Sequence, residues 1–339
     1  MKPRLIRRSP IVTVGLIALL AASHATPAEA YLKIGVDIGG RSIGIKWAQP
    51  RVPYYVTNAA IANVNPTEFQ AAVGRAFTSW ESVPTSSIAY QFAGFTSALP
   101  GQDDGMSTLG FLNEPDQDRV LASTNFLVDV ITGELVESDI FFNSAFQWST
   151  AQNGQQGRFD LETIALHEIG HFSGLGHSAL GETEITENGR TVLTTAAVMF
   201  PIAFPSGTIS NRTLRPDDVA GISDLYPVDD FTKTTGSVSG RVTKNGAGLY
   251  GAHIVAFNPA TGDSVGNFAL TDSGQFSIAG LSPGPYVIRV EPLDDADAES
   301  FFDRPRPPDV NFRIAYYSRL AVVPRGGDSG AIQVQVVSK

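Results

Sequence analysis

The spacing of apolar positions changes several times along the chain, and each change predicts an element. Residues 11–22 form a nearly unbroken apolar run, preceded by Lys2, Arg4, Arg7 and Arg8 and followed by Ala28-Glu29-Ala30. A basic start, a short apolar stretch and a small-x-small step read as an export signal cut after Ala30, and the run is shorter than the ~20 residues a spanning helix needs. Residues 31–45 are a Gly-rich leader with weak strand character, and residues 52–56 read as a strand. Asn65-Pro66-Thr67-Glu68 is a helix start: Asn65 can cap, Pro66 suits the first helical position and Glu68 stands at the capping-box position. Phe69, Val73, Ala76, Phe77 and Trp80 follow three and four apart, so this helix buries one stripe.

From 87 to 143 the pattern turns to strands, at 88–92, 108–112, 120–128 and 134–143, with Thr132-Gly133 as a turn between the last two. A second helix starts after Asp160 and runs to Gly174. A third starts at Pro216-Asp217-Asp218, where both acids suit a helix N-terminus electrostatically; Val219, Ile222 and Tyr226 give it an apolar face and Pro227 stops it. A polar stretch at 228–235 reads as a linker. Beyond it, short alternating strands recur between turn signals at Asn245-Gly246, Thr261-Gly262, Ser273-Gly274 and Pro283-Gly284, which predicts a small all-β sandwich. Residues 294–308, rich in Asp and Pro, read as a long loop within it.

Charge narrows the partners. The chain carries 24 Lys+Arg and 34 Asp+Glu; without residues 1–30, which hold four basic residues and one acidic residue, 20 face 33, a net charge of −13. That balance excludes nucleic acid and anionic membrane surfaces as expected partners. With no cysteine in the chain, thiol mechanisms and thiolate metal ligands are excluded, and stability must come from the core and from any bound metal.

The chemistry concentrates in His167-Glu168-Ile169-Gly170-His171-Phe172-Ser173-Gly174-Leu175-Gly176-His177, which holds three of the five histidines. Zinc favours nitrogen ligands in tetrahedral geometry, and a catalytic site keeps one position for water. His167 and His171, four apart on a helix, project from one face. Leu161, Ala165, Ile169 and Phe172 lie on another and can enter the core, and Glu168 falls between the two faces. Gly174 can end the helix with a positive φ, letting the chain reverse and deliver His177 as a third ligand. The expectation is a zinc site of His167, His171 and His177 with Glu168 as general base toward the attacking water. A zinc site without catalysis is the rival reading, but a purely structural zinc needs no base and fills its fourth position with a protein ligand.

Ala197-Val198-Met199-Phe200-Pro201 follows the third histidine, and beside the extended motif Met199 looks like the methionine turn beneath the metal in metzincins. Ser178, the Val-Met-Phe-Pro turn, the segment from Leu214 to Tyr226 and Ser138-Asp139-Ile140-Phe141-Phe142-Asn143 make residues 46–227 resemble the matrixins, the matrix metalloproteinase family. The resemblance implies an α+β metzincin-type zinc protease domain, a twisted mostly parallel sheet with packed helices, with substrate lying along an edge strand such as 120–128. It implies a secreted zinc endopeptidase, protein or peptide substrates, no stable membrane insertion after signal cleavage, and a monomer.

Departures from the family limit that implication. Pro201 stands where astacins and serralysins carry a tyrosine, so no tyrosine ligand is expected from this turn. Animal matrixins hold a second zinc on three further histidines, and only His24 and His253 remain here. Their latency uses a propeptide cysteine; Asp37 in the leader offers a carboxylate that could cover the zinc instead, though an exposed turn residue is the plainer reading. Residues 178–196 are longer than in compact matrixins and contain Asn188-Gly189, a hairpin signal, beside the cleft. Asp103-Asp104 and the acids at 114–118 could supply oxygen ligands to calcium, with a solvated acidic loop an equal reading.

Residues 236–291 resemble carboxypeptidase regulatory-like (transthyretin-like) β-sandwich domains, through Gly240-Arg241-Val242-Thr243, Gly251-Ala252-His253-Ile254-Val255-Ala256, Thr271-Asp272-Ser273-Gly274-Gln275-Phe276 and Leu281-Ser282-Pro283-Gly284-Pro285-Tyr286. These residues specify turns and packing, so they leave the module a spacer, a stabilising partner or a substrate-binding accessory. His253 reads as structural. The expected organisation is signal 1–30, leader 31–45, catalytic domain 46–227, linker 228–235 and β-sandwich 236–339.

Overall fold

A computed structural model describes residues 33–38, 41–49, 51–129, 131–187, 189–293, 301 and 307–339. The export signal read at 1–30 lies outside the described residues, as does most of the loop read at 294–308. The chain enters through an antiparallel ribbon of β1 (Gly35–Ile38) and β2 (Arg41–Gly44). Six strands then make one sheet: β3 (Lys46–Trp47), β4 (Arg51–Thr57), β5 (Ala89–Thr96), β6 (Thr108–Leu112), β7 (Ala122–Val128) and β8 (Glu134–Asn143). The order β3-β8-β6-β4-β5 is parallel at every step, and β7 alone runs antiparallel, along β8. From Leu135 on, β8 is buried at every position but one. A strand enclosed on both faces reads as continuously apolar rather than alternating, as Ile140-Phe141-Phe142 does.

Between β4 and β5 the chain forms α1 (Pro66–Glu81), for the local reasons legible in its sequence. Asn65 Oδ1 accepts from the N–H groups of Thr67 and Glu68, and the Glu68 carboxylate accepts from Asn65 N–H at 3.0 Å. Replacing such a cap by alanine costs about 1 kcal/mol. The predicted stripe of Phe69, Val73, Ala76, Phe77 and Trp80 is buried. Phe69 meets the rings of Phe111 and Phe142, and Phe77 those of Tyr90 and Phe172, with centroids 4.7–5.5 Å apart.

β9 (Trp148–Ser149) and β10 (Phe159–Asp160) pair in parallel and lead into α2 (Leu161–Phe172). Asp160 caps this helix, its carboxylate accepting from the Thr163 N–H at 2.9 Å while Arg212 grips it through Nε and Nη2. At the other end, the carbonyls that an α-helix leaves free find side chains: Trp47 Nε1–H donates to Phe172 O at 2.8 Å and the Tyr226 hydroxyl to Ser173 O at 2.7 Å. Two strands flanking Asn188, β11 (Gly181–Thr186) and β12 (Gly189–Thr195), form the antiparallel hairpin that the turn signal predicted. Then come α3 (Pro216–Leu225) and the single turn α4 (Phe231–Thr234). The stretch at 228–235, read as a polar linker, therefore carries a helical turn, and its one aromatic, Phe231, is buried.

The C-terminal module has two sheets around one core. β13 (Gly236–Lys244) pairs with β14 (Ala247–Gly248); β15 (His253–Phe257) pairs with β16 (Ser264–Phe268). β17 (Gln275–Leu281) lies on β13, and β18 (Gly284–Glu291) on β15. The short β19 (Ala315–Tyr316) and β20 (Ala321–Val323) extend β18, and β21 (Ile332–Val336) closes parallel on β13. Val238, Val242, Ile254, Phe276, Ile278, Ile288 and Phe312 fill the space between the sheets. The turn signals behave as read: Asn245 and Gly246 adopt φ of 53° and 82°, the left-handed pair a tight hairpin needs.

Candidate metal centre

Helical spacing puts His167 and His171 on one face of α2, and their Nε2 atoms stand 3.1 Å apart. His177 comes from the segment after the helix, with its Nε2 also 3.1 Å from that of His171. Among the described residues, these three form a group whose ligand atoms all lie within 4.8 Å of one another. Two of the rings are oriented from behind. His167 Nδ1 is 2.8 Å from Val198 O, and His171 Nδ1 is 2.8 Å from Leu175 O. A carbonyl can only accept, so Nδ1 carries the proton and Nε2 presents a bare lone pair. Burial lowers the pKa of His167, and burial together with the neighbouring His167 and His177 lowers that of His171 well below the usual value. Two neutral imidazoles with free Nε2 lone pairs, and a third imidazole converging on them, are the donor set that a zinc-type cation takes.

Two glycines let the chain converge. Gly174 adopts φ of +97°, and a β-carbon there would lie 2.4 Å from Ile45 O, so both turn and space require glycine. Ile34 N–H donates to Gly174 O, laying the leader across this turn. Gly170, inside the helix between the two histidines, answers a different demand: a β-carbon there would fall 2.2 Å from Met199 Sδ. Met199 thus packs directly against the α2 backbone, beneath the histidines, and is buried. Ser178 N–H donates to Met199 O at 2.9 Å, joining the third histidine's segment to the Met199 turn. That turn is pinned in its turn by Asp218, whose carboxylate accepts from Val198, Met199 and Arg215 N–H groups at 2.8, 3.1 and 2.8 Å. Burial pushes Asp218 up to about 6 against the pull of those donors.

Glu168 is 6% exposed, against the core beside the triad. The Thr124 hydroxyl on β7 donates to Glu168 Oε2 at 2.7 Å and lies 3.1 Å from Glu168 O. Burial pushes the Glu168 carboxyl up to about 7, and the Thr124 hydrogen bond opposes it. The antiparallel strand and the histidine helix are therefore tied at the one carboxylate next to the triad.

Several participants were not legible beforehand. Thr124 is one of many β-branched residues in strands, and nothing in its own neighbourhood marks it. Asp217 and Asp218 read as helix N-terminal acids, yet both are buried and bonded outside their own helix; Asp217 Oδ1 accepts from Gly266 N–H of the module at 2.8 Å and also takes a Ser178 side-chain hydrogen bond. His253 has a partner that sequence did not reveal, Glu291, 3.0 Å from its Nδ1. Glu137 and Asp139, near Asp103 and Asp104, spend their carboxylates on the N–H groups of Gly105, Gly101 and Thr108. Asp37 lies in β1, and its side chain lies outside the described structure.

A family model described as matrixin matches residues 46–227, more than half of the chain, and one described as carboxypeptidase regulatory-like domain matches residues 237–312. Matrix metalloproteinase-16 of Rattus norvegicus is 26% identical over 190 residues, 55% of this chain and 28% of that protein. Metalloendoproteinase 1 of Glycine max is 28% identical over 176 residues, 48% of this chain and 46% of its own length. Karilysin of Tannerella forsythia is 26% identical over 187 residues, 54% of this chain and 34% of that protein. The chain thus spans less than half the length of each of these relatives.

Proposed function

We propose, from the premise that this chain belongs to the matrixin family, that it is a zinc-dependent endopeptidase of the metzincin type. The carrying observation is the convergence of three imidazole Nε2 atoms, with a buried carboxylate one residue after the first of them. His167, His171 and His177 would hold the ion, and Met199 packs against the α2 backbone at Gly170, between the first two. When bound there, zinc supplies Lewis acidity toward water and a peptide carbonyl.

The chain's own residues supply the rest. Val198 O and Leu175 O fix the tautomers and orientations of His167 and His171. Glu168 accepts the proton of the attacking water and returns it to the leaving amine. Thr124 holds one Glu168 oxygen, leaving the other for that proton. β7, antiparallel on β8 and bonded through Thr124 to α2, is the strand along which an extended peptide would pair. Met199 and Asp218 support the site from below, away from substrate. The basic-apolar-small pattern of residues 1–30 supports export and action outside the cytoplasm.

Hydrolysis of casein or gelatin, followed as released peptides, tests this reading. Cleavage should stop with a zinc chelator and return on adding zinc. A zinc assay on His171→Ala should show loss of the bound ion. Cleavage indifferent to chelation, or full zinc content in His171→Ala, would sink the assignment.

A further inference from the structure

Strand burial in the module is asymmetric. In β21 buried and exposed residues alternate strictly, the signature of one covered face. In β15 and β16 they do not: His253, Ile254, Val255 and Ala256 are all buried, as are Val265, Gly266, Asn267 and Phe268. Ile254, Ala256 and Val265 fill the module's own core. By alternation His253, Val255, Gly266 and Phe268 point the other way, and register puts Val255 opposite Gly266 and His253 opposite Phe268. The catalytic half of the chain covers that second face at Val255 and Gly266, and joins Leu293 and Phe301 over Phe268.

The covering residues belong to the segment that frames the histidines. Val255 packs with Leu180 and Ala197, one on each side of the β11–β12 hairpin. Ala179 packs against the cluster of Phe268, Leu293 and Phe301, and the Phe301 ring lies 6.2 Å from that of His177. A β-carbon on Gly266 would meet Leu180 at 3.3 Å and His253 Nε2 at 2.7 Å, so the module leaves a gap where the hairpin's base enters.

α3 is divided in the same way. Asp218, Ile222 and Leu225, at helical spacing, face the catalytic core, while Asp217 and Ala220 face the module. Asp217 and Asp218 are adjacent, so one backbone step joins the N–H of Gly266 to the Met199 turn that orients His167. A recess between the halves, lined by His177, Met199, Asp217, His253 and Phe268, has about 20 Å³ of space for water.

We propose that the C-terminal module is a fixed brace of the metal centre, docked through the outer face of β15–β16 on residues 178–199 and the N-terminus of α3, and that it holds His177 and the Met199 turn in place. It is neither a spacer nor an independently moving accessory. The inference uses the proposed function only for the identity of the metal.

The full chain carrying Val255→Asp tests it, because Val255 lies outside the sandwich core and its replacement charges only the docked face. Calorimetry should show one unfolding transition in the wild type and two in the variant. Zinc should pass to a chromogenic chelator at least tenfold faster, although every histidine is intact. Ala220→Gln, which wedges a second contact between the halves, that of α3 with Gly280 of β17, should do likewise, and Val322→Asp, on an exposed position of β20, should do neither. Folded Val255→Asp and Ala220→Gln proteins with one transition and unchanged zinc release would overturn the proposal.

Should either variant fail to fold, hydrogen exchange on the wild type decides: amides of 264–268 and 196–200 should open together, and earlier opening of 264–268 overturns the brace. A wild type that cleaves no protein would end the peptidase reading and leave these readouts standing.

Discussion

Helices α2 and α3 make an informative pair. Both are short, both begin with acidic residues, and both carry polar side chains into the interior. In α2 three polar groups, the half-buried His167 and His171 and the buried Glu168, gather at a single point. In α3 the buried acids divide: Asp218 reaches inward to the Met199 turn and Asp217 outward to Gly266 of the module. A helix that carries chemistry can be recognised from its own repeat, whereas a helix that joins two bodies is recognised only once both are in place.

Substitutions in each helix should separate these roles. The largest expected effect lies in α2. Glu168→Ala should lower kcat by roughly a hundredfold to ten-thousandfold, the usual range for losing a general base, while zinc content stays at the wild-type level. A variant that lost zinc in parallel would make Glu168 a structural element and erase the contrast with α3.

Next comes Asp218→Ala in α3, which leaves the buried N–H groups of Val198 and Met199 and the partly buried one of Arg215 without their acceptor. The denaturation midpoint should fall by an amount worth about 3 kcal/mol, with weaker zinc binding because Val198 O also orients His167. A midpoint within experimental error of the wild type would show the turn to be held by something else.

Thr124→Val is smaller and more selective. It removes the hydroxyl that positions Glu168 while preserving strand shape, so kcat should fall about tenfold, ~1.4 kcal/mol in barrier, with KM little changed. Thr124→Ser should recover most of the rate. Equal losses in the two variants, or a change confined to KM, would mean that Thr124 serves packing alone.

The smallest effect is a pH dependence at Asp217. Burial, then the neighbouring Asp218 charge, push it up to about 7. A folded value above the unfolded one means that the native state binds the extra proton, so this contribution is complete below about pH 4 and is lost as pH rises through about 7. The groups around it are Asp218 on its own helix, the Ser178 side chain, and His177 and His253 across the small cavity. The melting temperature should therefore fall from pH 6 to pH 8 by an amount worth on the order of 1 kcal/mol, and Asp217→Asn should flatten that slope. An identical slope in the variant would assign the titration to another group.

Local rules carried much of the fold. The Asn65 cap, the stripe from Phe69 to Trp80, the Gly174 stop, the strands at 108–112 and 134–143 and the hairpin around Asn188 each follow from residues within a few positions of one another. The triad was legible for the same reason: four-residue spacing on a helix fixes two ring positions, and one glycine reverses the chain. Nothing equally local marks Thr124, 44 residues before the carboxylate it holds.

Gly170 shows where the boundary lies. As sequence it is a mildly unfavourable residue inside a helix; in the structure it is the only size that admits Met199 against the helix backbone. Gly266 and Ala220 repeat the lesson between the two halves of the chain, where small side chains leave space for Leu180 and for the module's core.

The sequence by itself determined the elements, the three histidines and the carboxylate beside them, because periodicity and turn stereochemistry act over a few residues. Tertiary structure alone decided that His167 meets Val198 O, that Thr124 holds Glu168, and that Asp217 faces the module and Asp218 the Met199 turn. Those outcomes depend on surfaces that become neighbours only when apolar burial brings distant segments together, and no spacing along the chain records them.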